Sequence, residues 1–189
     1  MEKEAVNAYS PLVLAYLGDA VFELEIRARL VEKSNSRPNI LNRKASALVC
    51  ASSQSDMKQH CKNGLALAEF LSGNPKVEFV NYPSLKGDKY YERAMKYLPN
   101  GSCGVVSFGV KGGRAAAEEF MKNLKIFAIE THVADARSCC LHPASSTHRQ
   151  LTEEELTAAG IPGNLVRMSC GLENTEDLVN DVRQALEKV

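Results

Sequence analysis

The chain has 189 residues, with Lys plus Arg equal to Asp plus Glu at 23 each, so no global field draws it to nucleic acid or to a membrane surface. At 44% hydrophobic residues it can bury a sizeable core, as one large domain or as one domain with a shorter segment attached. It lacks a run of about eighteen apolar residues, and Met-Glu-Lys-Glu is not the basic-then-apolar order of a signal peptide; the expectation is a cytosolic protein with no membrane partner.

Ser10 and Pro11 open a predicted helix whose apolar residues recur at Leu12, Ala15, Phe22, Ile26 and Leu30, with serine as cap and proline at the first helical position. Asp19 falls on the same stripe, where a carboxylate costs several kcal/mol unless it is paired or bound to metal. Six basic residues against Glu32 lie between Arg27 and Lys44, to be read as a solvated face and loop or as a phosphate-contacting patch. Ser34 to Asn39 is a break, Ile40 to Ala51 a second helix, and Ser52-Ser53-Gln54-Ser55 the expected seam between a segment over 1–56 and a domain over 57–189. A third helix is predicted from Met57 to Leu71.

Beyond Ser72-Gly73-Asn74-Pro75 the period changes. Strands are predicted over 77–82, 104–110, 138–141 and 166–170, and helices over 88–97, 114–124 and 176–188. Thr152 with Glu155 makes a capping box for a short helix that stops at Gly160. The fold class expected is α/β (α+β): a small sheet with helices against one face, preceded by an all-helical N-terminal segment. The six cysteines lack paired Cys-x-x-Cys spacing, and adjacent Cys139 and Cys140 read as buried thiols. His142 and His148 lack acids or cysteines at ligand spacing and are a weak metal signal; Gly112-Gly113 reads as a turn before a phosphate cradle.

Leu14-Ala-Tyr-Leu-Gly-Asp-Ala-Val-Phe-Glu23, followed by Arg37-Pro-Asn39, Lys44-Ala45 and Val49, resembles the ribonuclease III family and its short Mini-III branch over residues 10–56. That resemblance implies a Mg2+ ligand at Asp19 and hydrolysis of double-stranded RNA, because a hard cation takes oxygen ligands and activates water. One carboxylate cannot hold the ion. A homodimer or partner would have to supply the missing acids, and Glu23, one turn on, reads better as a salt-bridged glutamate.

A second set of landmarks runs from residue 57 to the end: His60-Cys61, Val80-Asn-Tyr-Pro83, Phe108-Gly-Val-Lys-Gly-Gly113, His142-Pro-Ala-Ser-Ser-Thr-His148 and Arg167-Met-Ser-Cys-Gly-Leu-Glu173. They are similar to the C-terminal domain of O-acetylhomoserine sulfhydrylases, pyridoxal-phosphate enzymes of cysteine and methionine metabolism. The resemblance implies a transferase that replaces the acetyl group of its amino-acid substrate by sulfide or a thiol. It also implies that Arg167 grips the substrate α-carboxylate, a task suited to a planar fork of donors. The Schiff-base lysine and the rest of the cofactor site belong to an upstream domain in such enzymes, so the chain alone is expected to be inactive. Where they show Asn-Val-Gly-Asp, this chain has His132-Val-Ala-Asp135. Residues 1–56, with apolar helix faces and no partner, are expected to self-associate or dock loosely; a non-catalytic fusion or interaction module is the remaining reading.

Overall fold

The computed structural model describes residues 11–34 and 36–189, with side chains from residue 18 onward except those of 35 and 51–54. The expected Ser10 cap lies outside the described residues, as do the side chains of Leu12 and Ala15. The chain divides into two compact units, Met1–Asp56 and Met57–Val189.

In the first unit, α1 (Pro11–Lys33) packs on α2 (Pro38–Val49), which starts with proline at its first turn and buries Ala45. Phe22, Ile26 and Leu30 are half-buried, as their spacing predicts, but Asp19 is exposed. The reason is length. α2 has 12 residues against 23 in α1, so at about 1.5 Å per residue it covers only the later half of the stripe. Asp19 therefore bears no burial cost. Val21, Leu24 and Val31 lie on the solvent side of α1.

Residues 52–55, the expected seam, are helical: they open α3 (Ala51–Ser72), and the two units meet just after them. The chain breaks one step earlier, at Cys50, whose backbone is extended (φ -67°, ψ 153°), and residues 52–55 form the first turn of α3, where serine is well tolerated.

The second unit carries a five-stranded sheet in the order β1-β2-β5-β4-β3: β1 (Val77–Asn81), β2 (Val105–Val110), β3 (Ala128–Ile129), β4 (Cys139–Leu141) and β5 (Leu165–Ser169). All pairs are antiparallel except β3 with β4. Helices α4 (Tyr91–Tyr97), α5 (Gly113–Lys122), α6 (Glu153–Ala158) and α7 (Thr175–Glu187) complete the unit. Leu67 and Leu71 of α3, Ala117 and Phe120 of α5, and Leu178, Val182 and Leu186 of α7 cover one face of the sheet. They bury Val106, Phe108, Val110, Val166 and Met168, the alternate positions of β2 and β5, and Cys170 just beyond β5. Phe108 and Phe120 meet edge to face at 5.6 Å between ring centroids. This is the small sheet with helices on one face that alternation predicts.

Two polar devices tie the helices down. Asp181, buried on α7, accepts backbone N–H groups from Lys125, Ile126 and Phe127 at 2.8 to 3.3 Å. Lys76 donates to the carbonyls of Leu186, Glu187 and Val189, satisfying the last carbonyls of α7. The helix expected from Asp88 starts at Tyr91, because Asp88 uses its carboxylate to hold the amides of Tyr82 and Tyr90 in a turn. Gly112 and Gly113 both have positive φ, at 102° and 77°, and turn the chain into α5.

Candidate functional site

The face of the sheet opposite the helices presents the other set of alternate residues. Phe79, Asn81, Ser107 and Leu165 flank Arg167, whose register partners are Ser107 on β2 and Leu141 on β4. Phe79 lays its ring over Gly109, where a Cβ would stand 2.4 Å from the ring. On the β1, β2 and β5 side of this face Phe79, Ser107, Leu165 and Arg167 are half-buried and Asn81 is exposed, whereas Cys139 and Leu141 on β4 are buried.

Arg167 is positioned from two sides. The strand register sets its Cα, and its Nη2 donates to the Thr131 carbonyl at 2.9 Å, leaving Nε and Nη1 without an ion-pair or hydrogen-bond partner among the described residues. Thr131 lies in the exposed 130–137 connection between β3 and β4, and that connection is held by the rest of the Arg167 to Glu173 motif. Ser169 Oγ accepts the Ala134 amide at 3.1 Å, and Leu172 N donates to the Ala136 carbonyl at 2.8 Å. Glu173 accepts both the amide and the hydroxyl of Ser138 at 2.8 Å. The same Ser138 hydroxyl oxygen accepts the Gly171 amide at 2.7 Å. A Cβ at Gly171 would sit 2.2 Å from the Ala136 carbonyl, so glycine is required there. Buried Asn63 completes the clamp by donating to the carbonyls of Gly171 and Glu173. The motif thus ties the 134–138 connection to the end of β5, beside the one hydrogen bond that Arg167 makes to Thr131.

The departure at residues 132–135 has a structural consequence. Ala134 has φ of +58°, a left-handed conformation costing an L residue about 1 kcal/mol or more relative to glycine. His132 beside it is exposed and pairs with Glu130 at 3.1 Å.

The other candidates resolve into structure. His142 is fully buried; its Nε2–H donates to the Gly163 carbonyl at 2.7 Å, and Nδ1 pairs with the Ser145 hydroxyl at 2.8 Å. His148 bonds Thr147, so the two histidines are staples of the 142–148 loop. Cys139, Cys140 and Cys170 are buried thiols, and burial pushes all three pKa values up, that of Cys170 to about 12, which keeps them protonated and unreactive. In the first unit Glu23 pairs with Arg27, as its spacing suggests, and Arg29 with Glu25. Among the described residues no group of three or more His, Cys, Asp or Glu side chains is placed to hold a metal ion, and none gathers around Asp19.

Arg167 is singled out in the sequence; Thr131, which accepts from it, and Ser169 and Glu173, which hold the adjoining connection, are not. Only the close spacing of Ser169 and Glu173 to Arg167 hints at them, since their partners lie more than thirty residues away.

Residues 54–187 match the family model described as Cys/Met metabolism PLP-dependent enzyme, PLP being pyridoxal phosphate. An O-acetyl-L-homoserine sulfhydrylase of Leptospira meyeri is 44% identical over 134 residues, covering 70% of this chain and 30% of that protein. An L-methionine gamma-lyase of Fusobacterium nucleatum is 42% identical over 133 residues, covering 70% of this chain and 33% of that protein. A solved structure from Campylobacter jejuni, described as an O-acetylhomoserine (thiol)-lyase and carrying N'-pyridoxyl-lysine-5'-monophosphate, superposes with a TM-score of 0.68 at 34% identity over 78% of this chain and 34% of that one. The chain spans about a third of the length of the relatives it matches.

Pyridoxal phosphate requires a lysine amine for its Schiff base. None of the five strands carries a lysine, and the amines of Lys76 and Lys111, which lie next to β1 and β2, are taken by backbone carbonyls. The described residues do not themselves make a site for the cofactor. The match over residues 54–187 and the sheet it folds into place the chain in the family of pyridoxal-phosphate-dependent enzymes of cysteine and methionine metabolism.

Proposed function

We propose that residues 57–189 are the substrate-gripping, C-terminal domain of an O-acetylhomoserine sulfhydrylase-like transferase, and that the chain is inactive until a polypeptide bearing the cofactor site covers its open sheet face. The observation that carries this reading is Arg167, on the open face with two of its nitrogens unpartnered while its own motif clamps the neighbouring loop. A planar guanidinium offers parallel N–H donors to a carboxylate, so Arg167 would bind the α-carboxylate of an amino-acid substrate and hold it in one orientation. Thr131 acts through Arg167, as a positioning residue. Ala134 and His132 border the same place and set its shape.

Mixing this chain with the upstream part of the Leptospira meyeri sulfhydrylase tests the assignment. The expected outcome is formation of homocysteine and acetate from O-acetylhomoserine and sulfide. Arg167→Lys should then raise KM for the amino acid about tenfold or more with a smaller change in kcat, because an ammonium cannot reproduce the bidentate contact. An unchanged KM in that variant contradicts the assignment.

A further inference from the structure

Away from the Arg167 face, α3 and the connection from β1 to β2 enclose a groove of about 700 Å3, within the size range of small-molecule sites. Its floor is apolar: Leu65 and Met95 line it together with Tyr82, which is fully buried and anchored by its hydroxyl to the Cys103 carbonyl at 2.8 Å. Its rim is basic. Lys58 and Lys62 stand one turn apart on α3, and Lys86 reaches in from the connection. Among the described lining residues Glu69 is the one carboxylate, so three ammonium groups leave about two positive charges in excess. None of the three amines has an ion-pair or hydrogen-bond partner among the described residues.

A second observation lies in the same lining. Ser84 Oγ is buried and has no hydrogen-bond partner; it is the sole such side-chain atom among the described residues. A buried hydroxyl without a partner costs about 1–3 kcal/mol, which a ligand oxygen would recover.

We infer that this groove binds a small organic phosphate, its apolar body on the Leu65 and Met95 floor and its phosphoryl oxygens among Lys58, Lys62 and Lys86, with the Ser84 hydroxyl a further donor once its side chain rotates out of its buried position. Separate ammonium groups on flexible stems suit a tetrahedral phosphoryl group, whereas a planar carboxylate favours a guanidinium fork. The excess of about two positive charges matches a phosphate monoester, which carries about −1.5 to −2 at neutral pH. The inference stands independently of the function proposed for Arg167.

Calorimetric titration of the full chain with phenyl phosphate at low ionic strength tests it, with inorganic phosphate and benzyl alcohol as the separated head and body. The expected result is saturable one-to-one binding of phenyl phosphate, at least about tenfold tighter than inorganic phosphate and weakened by added salt. The double variant Lys62→Ala/Lys86→Ala changes two exposed side chains, so it should keep the wild-type melting temperature while losing affinity about tenfold or more. Ser84→Ala should weaken binding severalfold. Absence of saturable binding overturns the inference, as does affinity that is unchanged in the double variant or equal for phenyl and inorganic phosphate, the last being the mark of an adventitious ion only.

Discussion

A few side chains in this protein do work that their neighbours in sequence do not reveal. Ala134 holds a left-handed backbone beside Arg167, and Ala134→Gly should stabilise the protein by about 0.5–1 kcal/mol, read as a rise in the urea midpoint; a fall would show that the methyl group makes a contact that outweighs the strain. Asp181 is the opposite case, a buried carboxylate satisfied by three backbone amides. Asp181→Ala should cost about 3 kcal/mol, because the amides of Lys125, Ile126 and Phe127 would lose a charged acceptor, and chemical denaturation measures it directly. The buried thiol of Cys170 sets a pH dependence. Its folded-state pKa, raised by burial from 9.0 to about 12, means that the folded state retains a proton the unfolded chain loses. Stability from this group is intact below pH 9 and declines from 9 towards 12. Cys170→Ser should flatten that part of a stability–pH curve, and an equally steep decline in the variant would assign it to other groups.

Among the elements, those with local causes were legible in the sequence. The Thr152 and Glu155 capping box forms as its spacing predicts, with both reciprocal hydrogen bonds made, and Thr152→Ala should cost about 1 kcal/mol, seen as earlier amide exchange across α6. β2 and β5 were legible from their apolar positions because both bury every second side chain. β3 was not: two residues paired in parallel with β4 leave no periodicity to read. The serine-rich stretch at 52–55 suggested the seam; the backbone interruption falls just before it, at Cys50, and 52–55 form the first turn of α3, because serine serves a helix start as readily as a loop. At the site, Arg167 could be picked out, but the reason it points where it does could not. Its support comes from Thr131, and that of the loop from Ser138 and Asn63, residues brought together only by the sheet.

At the scale of the whole molecule, the chain separates into a helical pair over Met1–Asp56 and an α/β body over Met57–Val189 that contains its own core. Limited proteolysis read by mass spectrometry should therefore yield a resistant fragment beginning between residues 50 and 57; protection extending unbroken to residue 11 would make the two one cooperative structure. The body matches about a third of its relatives' length and turns toward solvent a sheet face that holds Arg167 and no described lysine. In the function proposed above, Arg167 is a substrate grip separated from the cofactor chemistry it would serve. Incubation of the purified chain alone with pyridoxal phosphate, O-acetylhomoserine and sulfide, followed by measurement of homocysteine, tests that separation. No homocysteine above the protein-free rate is the predicted result, and enzyme-dependent turnover by the chain alone would contradict it.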